Sequence, residues 1–156
     1  MSEKNTNIGL KIINIRELSF VNKLTDFIVD NFSEDKLDLN IGMFVRGSSD
    51  KNTVSLTVFV SYSFEDEEKN KKIEFIKLET ETIFKLFDVS EDELKFLDEN
   101  DEIYISDDLM NLFLDASIGA IRGMFAYKTA SLPINLVLPL LDVSRFIKEN
   151  SISESE

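Results

Sequence analysis

The chain lacks the side chains that most enzymes use to move protons and to bind metals. Its 156 residues contain no cysteine and no histidine. Serine–histidine–aspartate triads, cysteine–histidine pairs and zinc-hydrolase sites are therefore excluded, because each needs an imidazole or a thiolate. The lack of cysteine also excludes disulfide bonds, and it suits a reducing compartment.

The remaining motifs for ligand chemistry are weak. The five glycines match neither of the Gly-rich patterns that cradle phosphates. Acidic clusters occur at 65–68 and 91–93, but their spacing is not that of a calcium loop, so solvated turns are the better interpretation. No pattern indicates a carboxylate pair for general acid–base catalysis. We therefore predict no enzymatic activity, no catalytic residue, no metal site and no cofactor.

The charge of the chain points away from polyanionic partners. Asp and Glu number 30 against 17 Lys and Arg, which gives a formal net charge of −13. A field of this sign repels nucleic acids and anionic membrane surfaces, and it keeps a protein soluble when it carries apolar patches. The uncharged run 130–141, which holds both prolines, is too short to span a bilayer. We expect a cytoplasmic protein that neither binds nucleic acid nor inserts into a membrane.

The elements that must carry the apolar residues begin with four predicted strands, at 9–21, 36–45, 53–65 and 72–87. The second and third alternate apolar and polar residues, as antiparallel strands with one buried face do. The buried face predicted for the third strand comprises Val54, Leu56, Val58, Val60, Tyr62 and Phe64. The fourth is apolar on both faces at its ends, which predicts double coverage there or a β-bulge where the facing changes.

One long helix is predicted over 106–130, with Ser106 as its N-cap. It is apolar on nearly all sides, so it must be buried on two sides. Small residues at three- and four-residue spacing form a strip along it, namely Ala116, Gly119, Ala120 and Gly123. Each glycine costs about 1 kcal/mol relative to alanine. Close approach of the same helix in a second copy would offset that cost; the alternative is close packing against the chain's own sheet.

Two shorter helices complete the predicted order of elements. Ser90 and Glu93 fit a capping box before a helix at 91–97, and Asp142 is the N-cap of a helix at 142–150. The fold class is therefore α+β, with two layers: a four-stranded antiparallel sheet followed by a long helix and a short C-terminal helix. We expect one domain over 9–150, a flexible N-terminus at 1–8 and a disordered acidic tail at 151–156.

The apolar residues are more numerous than one two-layer domain can bury. They cluster after the fourth strand and around TASLPINLVLPLLD (129–142), which holds the two prolines, Pro133 and Pro139. Proline blocks helix continuation and strand pairing, so this segment can stay extended. Large apolar patches on an acidic soluble protein indicate binding of other chains. The alternative is that these residues all belong to the core or to an oligomer interface.

The segment ASIGAIRGMFAYKTASLPINLVLPLLD resembles the SecB export-chaperone family. In that family an apolar long helix runs into an Arg-Gly pair and then a P-x-L/I-N-L-x-x-P-V/L-x-x-D motif. The residues that carry the resemblance are Arg122, Gly123, Pro133, Ile134, Asn135, Leu136, Pro139 and Asp142. The strand sequences RELSFV and KLDLNIGMFV are similar too, and the order of elements matches over 9–150.

The resemblance implies an ATP-independent holdase that binds unfolded or extended polypeptides, such as preproteins for export, in apolar grooves. It implies a homotetramer, a dimer of dimers, with the long helices packed between the dimers. The residues expected in that interface are Ala116, Gly119, Ala120, Gly123 and Tyr127. The client contacts expected after the fourth strand and near the last helix are Phe84, Leu86, Phe87, Phe96, Leu136 and Phe146. Within the proline segment, Leu136 is the residue expected to meet the client.

Alternatives to an export role remain open. In the export chaperones an acidic face of the sheet docks the SecA translocation motor. Glu17 matches one such position here, whereas Val21 stands where a second acid would be. SecB-like relatives also serve as chaperones of antitoxins in toxin–antitoxin systems. A structural or adaptor oligomer without client grooves would use the same apolar residues for self-association.

Overall fold

The structure, a computed structural model, describes residues 9–97 and 102–151. The predicted flexible segment 1–8 lies outside the described residues, as does 152–156 of the predicted tail. The fold is α+β, as predicted. In chain order the elements are β1 (Gly9–Asn22), α1 (Asp26–Asp30), a 3-10 turn (Glu34–Lys36), β2 (Leu37–Ser48), β3 (Thr53–Asp66), β4 (Lys71–Phe87), β5 (Leu94–Leu97), β6 (Glu102–Ile105), α2 (Asp107–Thr129) and α3 (Val143–Ser151).

Four antiparallel strands form the main sheet, in the order β1-β4-β3-β2. All six residues of the face predicted for β3 are buried in the core. Because β1 and β2 occupy opposite edges, the chain must cross between them, and α1 with the 3-10 turn makes that crossing. The sequence pattern did not predict α1. Its five residues are too few to show a period, although Thr25 caps it by accepting the Ile28 amide at 3.4 Å.

A β-bulge changes the facing of β4, as one of the two alternatives predicted. Tyr62 pairs with Ile76 and Ser63 pairs with Glu74, which leaves Phe75 as the extra residue. Phe75 and Ile76 are both fully buried although they are neighbours in the chain. The bulge therefore lets two consecutive side chains enter the core, which an unbroken strand cannot do.

Helix α2 covers one face of the sheet. Ser106 is its N-cap and accepts the Leu109 amide at 3.3 Å, as predicted. Its buried residues are Leu109, Phe113, Leu114, Ser117, Ile118, Ile121, Phe125 and Thr129. The face of α2 that points away from the sheet is largely exposed, as at Leu112 and Tyr127. The helix was expected to be buried on two sides, and the described residues bury it on one. The helix is long and apolar enough to cross a membrane. This is weak evidence, because the core helix of a soluble protein passes the same test, and the buried stripe of α2 packs on the sheet.

The predicted helix at 91–97 is wrong. The Ser90 carbonyl accepts the amides of Glu93 and Leu94 at 3.0 Å each, but only one turn forms. The chain then extends as β5, which pairs antiparallel with β6. Phe96 and Ile103 of this hairpin pack against β2 at Gly47, where an added Cβ would lie within 3.0 Å of both side chains. Contact with β2 therefore overrides the local capping signal, because Phe96 and Ile103, which pair across the hairpin, both pack at Gly47.

The C-terminal helix α3 begins as predicted and packs against α2. The Asp142 carboxylate accepts the Arg145 amide at 3.0 Å, which makes Asp142 the N-cap. Ile147 anchors α3 to the core. The helix continues through Ser151, the first residue of the predicted tail.

Candidate functional site

The proline segment is extended and alternates its side chains between core and solvent. Ile134, Leu136 and Leu138 are buried. Between and beyond them, Val137 is 68% exposed and Leu140 is 89% exposed. The structure thus turns Leu136, the residue expected to meet a client, toward the core at 5% exposure and turns Val137 outward. The alternation of Ile134, Leu136 and Leu138 in the sequence was the signal that identifies Val137 as the outward residue.

Side chains from the sheet and the helix hold this segment in place. The Tyr62 hydroxyl of β3 donates to the Val137 carbonyl at 2.9 Å. Arg122 of α2 donates from Nη2 to the Pro139 carbonyl at 3.2 Å. Arg122, which belongs to the motif that resembles SecB, therefore anchors the segment whose prolines it precedes. These two hydrogen bonds to backbone carbonyls fix the position of the segment, and with it the direction of its outward side chains.

A shallow, open groove of about 390 Å³ lies between the end of α2 and the proline segment. Its lining residues are Ala126, Thr129, Ala130, Leu132, Pro133, Ile134, Asn135, Leu136 and Val137. Seven of the nine lining residues are apolar, and Asn135 and Thr129 add an amide and a hydroxyl. Leu136 contributes to its wall through the small part of its surface that is exposed.

The other expected client residues lie elsewhere. Phe84 and Leu86 are buried in the core, Phe87 is 46% exposed, and Phe96 and Phe146 are half-buried. Phe87 ends β4. Ile76 of the same strand pairs with Tyr62, which contacts the proline segment. The eleven residues from Ile76 to Phe87 span roughly 36 Å at about 3.3 Å per residue. The structure therefore does not gather the six residues into one pocket, and their role as client contacts stays a prediction.

The small-residue strip of α2 is uncovered. A Cβ built on Gly119 or Gly123 meets no atom within 4 Å among the described residues. Ala116 and Ala120 are half-buried, and Tyr127 is 84% exposed. The alternative that the strip packs tightly on the chain's own sheet is therefore wrong. Its role in an interface with another copy stays a prediction.

The edge strand β1 adds apolar surface on the same side of the sheet. Ile12 pairs with Phe84 and Ile15 pairs with Thr82, so both point to the face that carries α2. Each remains 43% exposed, because α2 packs over β3 and β4 instead. The open face of α2 and the helix-facing side of β1 are thus two apolar surfaces that the residues in 9–97 and 102–151 leave partly exposed.

Glu17, the residue expected at a motor-docking surface, also lies on the helix-facing side. It pairs with Thr80, and its carboxylate contacts the Lys128 ammonium of α2 at 2.8 Å. Lys128 in turn lies 5.2 Å from the centre of the Phe20 ring. Docking of a motor through Glu17 stays a prediction, and it would have to compete with this ion pair.

The part of the chain that the structure describes holds no group of three or more acidic, cysteine or histidine side chains arranged to bind a metal.

Burial raises the pKa of the Tyr62 phenol above its ordinary value of about 10. Loss of the phenol proton would also remove the hydrogen bond that Tyr62 donates to the proline segment.

Alkaline pH is expected to destabilise the protein through Tyr62. A raised folded-state pKa means that the buried neutral phenol stabilises the fold fully below pH 10 and that this stabilisation is lost as pH rises through the folded-state pKa. Urea unfolding followed from pH 8 to 11 should show a steeper loss in the wild type than in Tyr62→Phe. At pH 8 the variant should be less stable by about 1 kcal/mol, the worth of one hydrogen bond. Parallel pH profiles for the two proteins would contradict this prediction.

With this geometry, comparison with known proteins defines the class of fold. No protein-family model matches the sequence, and no curated protein sequence matches it. Solved structures do match. One is the Mycobacterium tuberculosis SecB-like chaperone Rv1957 in complex with a ChAD peptide from the Rv1956 HigA1 antitoxin. It has a TM-score of 0.51 and 14% sequence identity, and the match covers 85% of this chain and 90% of that one.

A second match is a protein of unknown function from Streptococcus agalactiae, with a TM-score of 0.44 and 9% identity. It covers 85% of this chain and 98% of that one, and it is too distant to support an argument. The match to the M. tuberculosis chaperone shows that the chain has a SecB-like fold, which confirms the fold that the resemblance in the sequence implied.

Proposed function

We propose that this protein is a holdase chaperone that binds unfolded or extended polypeptides without ATP. The observation that carries the proposal is the proline segment, which is anchored by Tyr62 and Arg122 and exposes Val137 and Leu140 beside an open apolar groove. An exposed apolar surface held in a rigid frame suits binding of other chains. The SecB-like fold supports the same class and favours a binding protein over an enzyme.

The energetics of such a surface suit long clients of varied sequence. Full burial of one aliphatic side chain is worth about 1.5–3 kcal/mol. Val137 or Leu140 alone would therefore give weak binding, and useful affinity requires several contacts along one client. The net charge of −13 attracts basic clients at long range and disfavours acidic ones.

Assembly into a homotetramer, a dimer of dimers, forms part of this proposal. The uncovered strip on α2 and the exposed side chains of β1 supply two apolar surfaces that a second copy would bury. A structural or adaptor oligomer without client grooves would bury the same surfaces. The two ideas differ at Val137, which the holdase leaves free for a client and which an adaptor has no need to expose.

Two client classes fit a cytoplasmic holdase of this fold. Preproteins for export, with the SecA motor as a further partner, are the first. An antitoxin is the second, and one observation favours it: the M. tuberculosis protein with the same fold was solved with a peptide from an antitoxin. The ion pair of Glu17 with Lys128 gives the motor less to bind at this position.

The intact protein in molar excess is expected to suppress the light scattering of a chemically unfolded, aggregating reporter protein in the absence of nucleotide. Val137→Ser should weaken that suppression, because it removes an apolar contact that is 68% exposed. The loss should be about fivefold to tenfold in the concentration needed, which corresponds to about 1–1.4 kcal/mol.

Asn135→Ser is the matched control, because Asn135 is an exposed polar residue on the same face of the segment. Asn135 also lines the groove, but this change removes no apolar contact, so suppression should fall much less than with Val137→Ser. Scattering that the wild type does not reduce would refute the holdase proposal. Suppression that is equal for Val137→Ser and the wild type would move client binding away from the proline segment.

A further inference from the structure

The main sheet has an outer face, which points away from α2. On β3, Val54 and Tyr62 point toward α2 and the proline segment, and Gly47, which contacts the β5–β6 hairpin, pairs with Val54 on that same side. The odd-numbered residues of β3 and their strand partners therefore line the outer face. Within the described residues, α2, the proline segment and the hairpin all pack on the other side, and Phe44 of the outer face is 43% exposed.

Three cations gather at one corner of this outer face. Lys11 of β1 pairs directly with Lys85 of β4. Arg46 of β2 lies two strands and two residues away from Lys85, because their partners on β3 are Ser55 and Thr53. Ordinary strand spacings then separate Arg46 from Lys85 by about 12 Å. None of the three cations forms an ion pair with a carboxylate of the described residues. They make a locally positive surface on a chain whose net charge is −13.

The pairing of Lys11 with Lys85 has an electrostatic cost. Like charges directly opposite each other on antiparallel strands destabilise the pair. Glu81 lies on the same face of β4, but its carboxylate is already in use. Its Oε1 accepts the Ser55 hydroxyl at 2.8 Å, and its Oε2 contacts the Arg16 guanidinium at 2.5 Å. An external carboxylate at this corner would therefore relieve a repulsion that Glu81 does not neutralise.

Aromatic rings lie beside two of these cations. The Arg46 guanidinium is 5.4 Å from the centre of the Phe44 ring, and the Lys85 ammonium is 5.9 Å from the centre of the Phe87 ring. Such contacts hold a cation over a ring without neutralising its charge. Phe87 is 46% exposed, so both rings also offer apolar area to a partner. The corner thus combines positive charge with apolar surface.

We propose that this basic–aromatic patch, formed by Lys11, Arg46, Lys85, Phe44 and Phe87, binds an acidic segment of a partner polypeptide that carries an aromatic or aliphatic side chain among its carboxylates. A guanidinium can bind one carboxylate through two parallel hydrogen bonds, and the two lysines can share a second. Carboxylates about four residues apart on an extended chain span the roughly 12 Å between these positions. A nucleic acid suits the patch less, because a chain of net charge −13 repels a charge on every phosphate. The proposal does not depend on holdase activity.

The test uses a labelled peptide in which glutamates flank a single phenylalanine, titrated with the intact protein and followed by fluorescence anisotropy. An ionic strength of about 0.15 M limits the distant acidic surface to a Debye length of about 8 Å. A peptide with glutamine in place of each glutamate is the control ligand. We expect saturable binding of the glutamate peptide only. Arg46→Gln should weaken it about tenfold, because charged hydrogen bonds are lost.

Lys148→Gln on α3 is the matched control variant, because it removes the same charge from an exposed position outside the patch. It should weaken binding less than twofold. Equal weakening by the two variants would overturn the proposal, since binding would then follow net charge alone. Equal binding of the two peptides, or no saturable binding of the glutamate peptide, would overturn it without any variant. A single-stranded oligonucleotide that binds more tightly than the glutamate peptide would also overturn it and would assign the patch to nucleic acid.

Discussion

Replacing Phe84 by alanine is expected to lower the free energy of unfolding by about 3–5 kcal/mol. Phe84 is fully buried, and its ring centre lies 4.5 Å from that of Phe113 on α2. The substitution removes this contact between sheet and helix and leaves a cavity that close-packed neighbours cannot fill. Urea denaturation monitored by circular dichroism, at one fixed protein concentration, measures the loss.

Phe87→Ala is the matched control, because the two residues share a strand and were expected to share a function. Phe87 is 46% exposed, so its truncation should cost less than about 1.5 kcal/mol. Equal losses for the two variants would contradict the assignment of Phe84 to the core. A stable Phe84→Ala protein that suppresses aggregation poorly would instead restore Phe84 as a client contact.

Gly123→Leu is expected to convert the proposed tetramer into dimers. The single chain has room for the new side chain, because a Cβ at this position meets no described atom within 4 Å. The substitution also replaces glycine by a better helix former, which favours α2 by up to about 1 kcal/mol. The folded chain should therefore survive, and a loss of assembly would report a steric clash between copies. Sedimentation velocity measures the change in mass.

Ser144→Leu on α3 controls for the mere addition of an apolar side chain to an exposed helical position. It should leave the oligomer unchanged. A Gly123→Leu protein that sediments as a tetramer would show that the strip is not the contact between dimers. A wild-type protein that sediments as a monomer would show that neither apolar surface is used for self-association.

The strands and the main helix were predictable because their signals are periodic and long. β3 alternates over its whole length, so its buried face could be read residue by residue. α2 runs for 23 residues and carries a side-chain N-cap, and both features are local. The bulge at Phe75 was one of two predicted explanations for an apolar pattern that changes face.

The short elements were not predictable in the same way. The capping box at Ser90 indicated a helix. Residues 94–97 instead form β5, because Phe96 and its pairing partner Ile103 in β6 pack at Gly47. Local signals of one turn are weak beside burial against another element. The outward position of Val137 was missed for another reason: the alternation of Ile134, Leu136 and Leu138 indicated it, but the segment was interpreted from its prolines alone. Tyr62 and Arg122 hold the segment in the orientation that the structure shows.

The sequence by itself determined which chemistry is excluded. The lack of cysteine and histidine rules out thiol and imidazole chemistry, and it is a property of composition alone, as is the charge of −13. Only the tertiary structure decided how far the apolar residues of the proline segment, α2 and β1 are exposed. Burial depends on what the rest of the chain places nearby, so neighbours as close as Leu136 and Val137 have opposite fates. The order of the strands in the sheet also brought Lys11, Arg46 and Lys85 to one corner of its outer face, although they lie far apart in the sequence.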